Sequence, residues 1–452
     1  MVAPITPPGA GGIAALRLAG PNSREMLRKH FQPSRNTSSQ PKPFLMRYGR
    51  FLGASKEPID QVLAVFMPAG RSYTGLDQVE IFCHGGDQVL RRLLEELIHS
   101  GARAADPGEF TRLAFENGRI NLSEAEAVAE IVAANTEQSY RVAREHLIGA
   151  YTEHVTMLRN QLTEIMAETE ASVDYPEEDI DLEQKDQMLR LLDRLTQQTR
   201  ELADTYRGGR IIREGFTIAI AGRPNAGKSS LFNLLLKQER ALVAPTAGTT
   251  RDYLSEWIDL GGYAVRLIDT AGIRSGGGQI EKAGQAQAKR LMEEADLVLW
   301  LADVSAKGWQ AHLKKDKIDL NKQVIICLYN KIDILEKPTE AQYADNSDQS
   351  IAISCVTEVG IAELKEVILE RIRANQPDLT SGLVVTSARH HQKLERASER
   401  LAEARSLLEL DESPEIISLE LRGAADQLDE ITGRIYTEDI LEQIFAKFCV
   451  GK

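Results

Sequence analysis

Three short stretches in the middle of the chain carry the residue types that handle phosphate, a metal ion and a purine base. Gly222-Arg223-Pro224-Asn225-Ala226-Gly227-Lys228-Ser229 is a complete G-x-x-x-x-G-K-[ST] loop. Its glycines let the backbone turn N–H groups inward onto phosphate oxygens, and the helix expected to follow adds partial positive charge. Lys228 would reach the β- and γ-phosphates, and the Ser229 hydroxyl would hold Mg²⁺. Ala226, Gly227 and Ser230 complete that cradle. Asp269-Thr270-Ala271-Gly272 supplies a carboxylate for Mg²⁺, directly or through water, and at Gly272 a backbone N–H for the γ-phosphate. Asn330-Lys331-Ile332-Asp333 ends in a carboxylate that can accept two hydrogen bonds from the N1–H and 2-amino edge of guanine. Adenine lacks that edge, so discrimination of roughly 1–3 kcal/mol is expected. Ser354-Cys355 can close over the base, with Val356 where such loops often carry lysine. The three pieces imply GTP and its hydrolysis.

Thr249-Thr250-Arg251-Asp252 lies between the loop and Asp269, and the Thr250 hydroxyl is the expected second protein ligand of Mg²⁺. In Ras-like proteins a glutamine directly after D-x-x-G orients the attacking water. Here that position is Ile273, so water and charge must be managed elsewhere. Asn225 stands where its side-chain carbonyl can hold a monovalent cation in place of an arginine finger. Glu281, behind Ser275-Gly276-Gly277-Gly278, has two readings: a carboxylate that orients water, or a solvated loop carboxylate.

These residues need strands that end at them. Phe216–Ala221, Tyr263–Ile268 and Val324–Tyr329 read as buried strands, and Ser229–Leu236 as the start of an apolar helix. Alternation of strands and helices over about 215–375 predicts an inserted, Ras-like, doubly wound α/β P-loop domain. Residues 1–118 mix short strands (Ile13–Leu18, Val79–Cys83) with a helix over Val89–His99, an α+β domain. From Asn121 the texture turns helical. Ser123 reads as an N-cap with Glu126 reciprocal, and Leu158, Leu162, Ile165 and Met166 recur at helical spacing. A second helix is expected from about Gln184 to Arg207, with Gly208-Gly209 leading into the phosphate-loop strand. Helix returns from Ser387 to Leu410 and from Pro414 to Phe448. The expected domains are 1–118, a helical domain split into 119–214 and 376–452, and the nucleotide domain 215–375.

The 452 residues carry a net charge of −13, which argues against indiscriminate binding to nucleic-acid backbone but not against a local basic face. The four cysteines have no metal or C-x-x-C spacing, so reduced thiols and a cytoplasmic protein are expected. His390-His391 reads as a pair on a helix surface. No apolar run approaches the roughly 18 residues of a membrane span.

Beyond the nucleotide motifs, a set of short signatures runs from end to end. They are Thr6-Pro7-Pro8-Gly9 with Gly11-Gly12, Tyr73-Thr74-Gly75, His84-Gly85-Gly86, Pro107-Gly108-Glu109-Phe110-Thr111, Asn117-Gly118-Arg119, Gly248-Thr249-Thr250-Arg251-Asp252 and Cys449-Val450-Gly451-Lys452. With them the chain resembles the MnmE (TrmE) family of tRNA-modification GTPases over essentially its whole length. The resemblance implies a homodimer whose N-terminal domain binds a one-carbon tetrahydrofolate, as 5-formyl- or 5,10-methylene-tetrahydrofolate, through Arg17, Glu80, Arg119 and Lys452. It implies GTP hydrolysis activated by K⁺, which Asn225 and Thr249 would ring together with carbonyls near Ala244 and Thr246. Glu281 becomes the water-orienting carboxylate. It also implies a heterotetramer or larger complex with an FAD-dependent MnmG (GidA)-type partner. That complex would add a carboxymethylaminomethyl or aminomethyl group at C5 of the tRNA wobble uridine. Cys449 keeps two readings, a part in the tRNA chemistry or packing of the tail. Pro245, Thr246, Arg119, Cys355 and Val356 depart from the commoner family residues, and the chain starts a few residues short of the usual N-terminus. The alternative is a regulatory switch that docks on the ribosome or its RNA, and no RNA-binding module is evident after the nucleotide domain.

Overall fold

The computed structural model describes residues 1–34, 41–174, 182–242, 255–270, 279–311, 325–335, 350–374 and 383–452, with backbone alone at 172–174, 182, 184, 240 and 279–285. The chain divides into two compact units, Met1–Ala129 with Leu428–Lys452, and Glu130–Gln427.

The first unit is built on a six-stranded antiparallel sheet of β1 (Val2–Pro4), β2 (Ile13–Ala19), β3 (Phe31–Pro33), β4 (Arg47–Leu52), β5 (Pro58–Met67) and β6 (Gln78–His84), in the order β1-β2-β6-β5-β4-β3. Alternation along β6 buries Val79, Ile81 and Cys83 on one face. The helices Ser23–His30 and Asp87–His99 cover that face with Leu27, Leu93 and Leu97. A second cluster joins Phe115 and Leu122 to Leu441, Ile444, Phe445 and Phe448. The C-terminal residues therefore pack inside this unit, and the backbone N–H of Phe110 donates to the carbonyl of Lys452.

In the second unit a seven-stranded sheet contains β7 (Phe216–Gly222), β8 (Arg240–Leu242), β9 (Ser255–Leu260), β10 (Tyr263–Asp269), β11 (Leu297–Asp303), β12 (Ile325–Asn330) and β13 (Ser350–Ile353). The order is β13-β12-β11-β7-β10-β9-β8. The first five of these are mutually parallel, and β9 and β8 are antiparallel at the edge. This is the expected doubly wound sheet. Parallel strands covered on both faces read as continuous apolar runs, and Ile218, Ala219 and Ile220 are all fully buried. The strands β7, β10 and β12 all end at the motif residues.

The remaining helices of this unit include Glu137–Leu147, Ala150–Asp174, Leu182–Asp204, Tyr206–Glu214 and Ala388–Glu409. Tyr151, Val155, Leu158, Leu162 and Ile165 form the buried stripe of the second of them.

Four expectations need correction. The cap of the first long helix (Leu122–Ala133) is Asn121, not Ser123. The Asn121 side chain accepts from Glu124 N–H, and Glu124 accepts from Asn121 N–H, a reciprocal box shifted two residues upstream. Helix does not stop at Arg207, because Gly208-Gly209 lies inside the helix Tyr206–Glu214. A Cβ on Gly209 would sit 2.1 Å from the Val385 carbonyl oxygen, so the glycine allows a close backbone crossing. His390 is buried and stacks on Tyr151, while His391 stays partly exposed and stacks on Tyr206, so only His391 reaches the surface. The last helical stretch is two helices, Pro414–Thr432 and Glu438–Phe445, parted at Gly433 (φ +80°).

Candidate functional site

The phosphate loop forms where β7 ends. Gly222 has φ +141°, and a Cβ there would meet the Leu301 carbonyl at 2.4 Å on the neighbouring strand. Gly227 caps the helix Lys228–Gln238 with φ +100°, and a Cβ would meet Asn330 Nδ2 at 2.2 Å. Asn225 is itself left-handed (φ +63°) and exposed. Only a few per cent of non-glycine residues adopt this conformation, and asparagine is among the best suited. Lys228 is buried and donates to the Arg223 carbonyl at 2.8 Å, across the loop.

The other motifs meet this loop. Ser229 Oγ donates to Asp269 Oδ2 at 2.8 Å, so the hydroxyl and carboxylate expected around Mg²⁺ are in contact. Thr270 is fixed by its N–H and Oγ donating to the Ile220 carbonyl at 3.3 and 2.9 Å. Asn330 Nδ2 donates to the Ala226 carbonyl at 2.8 Å, and Asn330 Oδ1 accepts from Cys355 N–H at 3.3 Å. Ser354 Oγ donates to Asp333 Oδ1 at 2.5 Å while accepting from the N–H groups of Val356 and Thr357. The Asp333 carboxylate is therefore aimed by a fully buried serine. Replacing the commoner residue with Cys355 keeps the backbone contact, because that contact uses only the N–H. Burial pushes the Cys355 thiol up to about 11.

The structure thus brings together Asn225, Ala226, Gly227, Lys228, Ser229, Ser230, Asp269, Thr270, Asn330, Lys331, Asp333 and Ser354. Ala244, Thr246, Thr249, Thr250, Ala271 and Gly272 lie outside the described residues, and Glu281 is described only as backbone in the helix Gln279–Glu294. Oxygen ligands from a serine and an aspartate suit Mg²⁺. Among the described residues there is no cluster of three or more His, Cys, Asp or Glu side chains to suggest another metal centre. One contact was missed in the sequence. Lys331 Nζ donates to Asp303 Oδ2 at 2.5 Å. Its only signal was an aspartate ending the apolar run Leu297–Asp303.

In the first unit, Arg17 on β2 faces Glu80 on β6, with Nη2 3.0 Å from Oε1. Gln78 Nε2 donates to the same carboxylate oxygen at 3.1 Å. The guanidinium lies over the rings of Tyr73 and Phe110 at 5.1 and 5.5 Å. Burial first, and then the nearby Arg17, holds the Lys452 ammonium below its ordinary pKa. Arg17, Glu80 and Lys452 therefore share one neighbourhood. Arg119 donates to the Gly70 carbonyl at 3.1 Å, on the loop that leads to Tyr73. Cys449 is exposed. Tyr73, Gln78 and Phe110 are the partners that the sequence did not single out for this site.

The strand order and the phosphate loop define a P-loop nucleotide-binding domain of the guanine-nucleotide kind, set between helices and joined to a separate α+β unit. The profile described as GTP-binding protein TrmE N-terminus matches residues 1–119, and that described as MnmE helical domain matches residues 122–449. The tRNA modification GTPase MnmE of Aquifex aeolicus (strain VF5) is 39% identical over 453 residues, covering 100% of this chain and 99% of that protein. The protein of the same name from Akkermansia muciniphila is 39% identical, covering 100% of this chain and 98% of its own. Among solved structures, the G domain of the T. maritima FeoB iron transporter is 28% identical with a TM-score of 0.27, covering 34% of this chain and 98% of that one. The chain belongs to the MnmE family.

Proposed function

We propose that the protein is a tRNA-modification GTPase whose hydrolysis of GTP is activated by K⁺. It acts as a homodimer with an FAD-dependent MnmG (GidA)-type partner at C5 of the tRNA wobble uridine. The observation that carries the GTPase reading is the meeting of three motifs through Ser229–Asp269, Asn330–Ala226 and Ser354–Asp333. In the reaction, water oxygen bonds to the γ-phosphorus while the bond to the β,γ-bridging oxygen breaks. GDP leaves with that electron pair, and inorganic phosphate is released. Lys228 would neutralise charge on the transferred group, and Glu281 would orient the water.

Mg²⁺, held by Ser229 and Thr250, would neutralise phosphate charge. K⁺ would supply the positive charge that other GTPases take from an arginine. The left-handed, exposed Asn225 supports this, because that backbone frees its side-chain carbonyl from the loop interior. Its partners in the ring would be Ala244, Thr246 and Thr249. The folate reading is supported by Glu80, which can accept from an aminopyrimidine edge, and by the rings of Tyr73 and Phe110 beside Arg17. Lys452 and Arg119 suit a glutamate tail. A cytoplasmic location fits four free cysteines, and no helix among the described residues is long and apolar enough to cross a membrane.

The test is the wobble nucleoside itself, analysed by mass spectrometry after incubation of tRNA with the protein, GTP, Mg²⁺, K⁺, one-carbon folate and the flavoprotein. A mass gain that needs GTP and disappears in Asp269→Ala is expected. Undiminished modification in Asp269→Ala would contradict the coupling of hydrolysis to modification.

A further inference from the structure

We propose that Asp303 is a positioning residue of the guanine pocket, holding Lys331 as a fixed wall beside the base. This rests on the GTPase reading and adds to it a residue that lies outside the nucleotide motifs.

Asp303 ends β11 directly opposite Asn330, the last residue of β12. The next residue, Val304, donates its N–H to the Asn330 carbonyl at 3.1 Å, so the two strand ends stay paired to the rim of the pocket. The Asp303 carboxylate is held by three donors. Oδ2 accepts from Lys331 Nζ at 2.5 Å, and Oδ1 accepts from Ser305 N–H at 3.0 Å and Ser305 Oγ at 2.5 Å. Burial alone would raise its pKa. The bonds from Lys331 and Ser305 outweigh burial and keep the carboxyl below its ordinary value, so it is ionised at neutral pH.

Lys331 is consequently tethered at both ends. Its backbone is left-handed (φ +71°) and starts the short 3₁₀ turn Ile332–Ile334. Its ammonium is tied to Asp303, and the side chain is only 30% exposed. On one side Asn330 is bonded to the phosphate loop, and beyond the turn Asp333 is aimed by Ser354. Lys331 thus stands in the chain between Asn330, bonded to the phosphate loop, and Asp333, aimed by Ser354, with its ammonium held at Asp303. A long side chain ordered in advance loses little further rotamer freedom when a ligand arrives. Pairing the ammonium with Asp303 also keeps it from swinging toward the phosphates.

The test measures GDP and IDP affinity of the full-length protein, and kcat and KM for GTP, in wild type, Asp303→Asn, Asp303→Glu and Ser305→Ala. Asp303→Asn is expected to weaken GDP binding by about 5–20-fold, as a tether lost at a preorganised site should. The GDP-to-IDP ratio should stay within about twofold, because Asp333 still reads the edge. KM should rise by more than kcat falls, and Asp303→Glu should recover part of the affinity. Ser305→Ala keeps the charge and the N–H bond to Oδ1 but removes the hydroxyl bond to it, and about a 2–4-fold loss is expected. It decides the matter if Asp303→Asn does not fold. Unchanged GDP affinity in the folded variants would overturn the proposal. So would a loss that Glu does not rescue and that tracks a fall in melting temperature. A wild-type protein that binds no GDP would instead overturn the GTPase reading beneath it.

Discussion

The side-chain amide of Asn330 donates across 2.8 Å to the carbonyl of Ala226, joining the turn that carries Asp333 to the phosphate loop. The same side chain accepts from Cys355 N–H, so one buried asparagine spans three loops. Asn330→Ala would leave a buried carbonyl and an N–H without this partner, at about 1–3 kcal/mol each. A drop of several degrees in melting temperature and a loss of GTP affinity of tenfold or more are expected. Calorimetry and nucleotide titration check both.

Asp333 accepts from the 2-amino group of guanine in this account, and Ser354 fixes its direction. Asp333→Asn replaces an acceptor with a donor, which suits the 2-carbonyl of xanthine. Preference should shift from GTP toward XTP by roughly 1–3 kcal/mol, about 5- to 150-fold in relative affinity. Competition binding reads the ratio, and an unchanged preference for GTP would remove Asp333 from base recognition.

Three of the four thiols, Cys83, Cys355 and Cys449, should differ in reactivity. Burial pushes both Cys83 and Cys355 up to about 11. The thiolate is the nucleophile, so at pH 8 only about one molecule in a thousand is reactive at these positions. Cys449 is exposed. Brief iodoacetamide treatment followed by peptide mass analysis should label Cys449 first, and labelling at Cys83 and Cys355 should rise as pH climbs toward 11. Equal labelling of all three at pH 8 would contradict the burial seen here.

Gly209→Ala should destabilise the protein although it improves the local sequence for helix by about 1 kcal/mol. The added Cβ would sit 2.1 Å from the Val385 carbonyl, so a backbone segment must move. Overpacking of this kind costs about 1–3 kcal/mol. Denaturant unfolding measures the sign, and a stabilised variant would show that the close crossing does not exist.

The parallel sheet and its motif-bearing strand ends were legible because buried parallel strands are apolar throughout and because the motifs fall where those strands stop. What escaped the sequence depends on distant partners. Gly208-Gly209 looks like the end of a helix until Val385 is known to cross it, and helix propensity alone cannot report that. Ser123 and Asn121 are both good caps, and the choice between them is made by which carboxylate, Glu124 or Glu126, reaches back. His390 reads as polar, but Tyr151 buries it by stacking. Asp303 sits in no nucleotide motif. Its role follows from strand pairing between β11 and β12, which sets it beside Lys331.

Whether K⁺ supplies the missing charge is tested by the steady-state rate of phosphate release from GTP in K⁺ and in Na⁺ at matched ionic strength, with Asn225→Ala alongside. Strong activation by K⁺ over Na⁺ is expected in the wild type, and its loss in the variant. Equal rates in the two salts would contradict it. Asn225 would then be a structural residue of the loop, and an external activating protein would have to supply the missing charge.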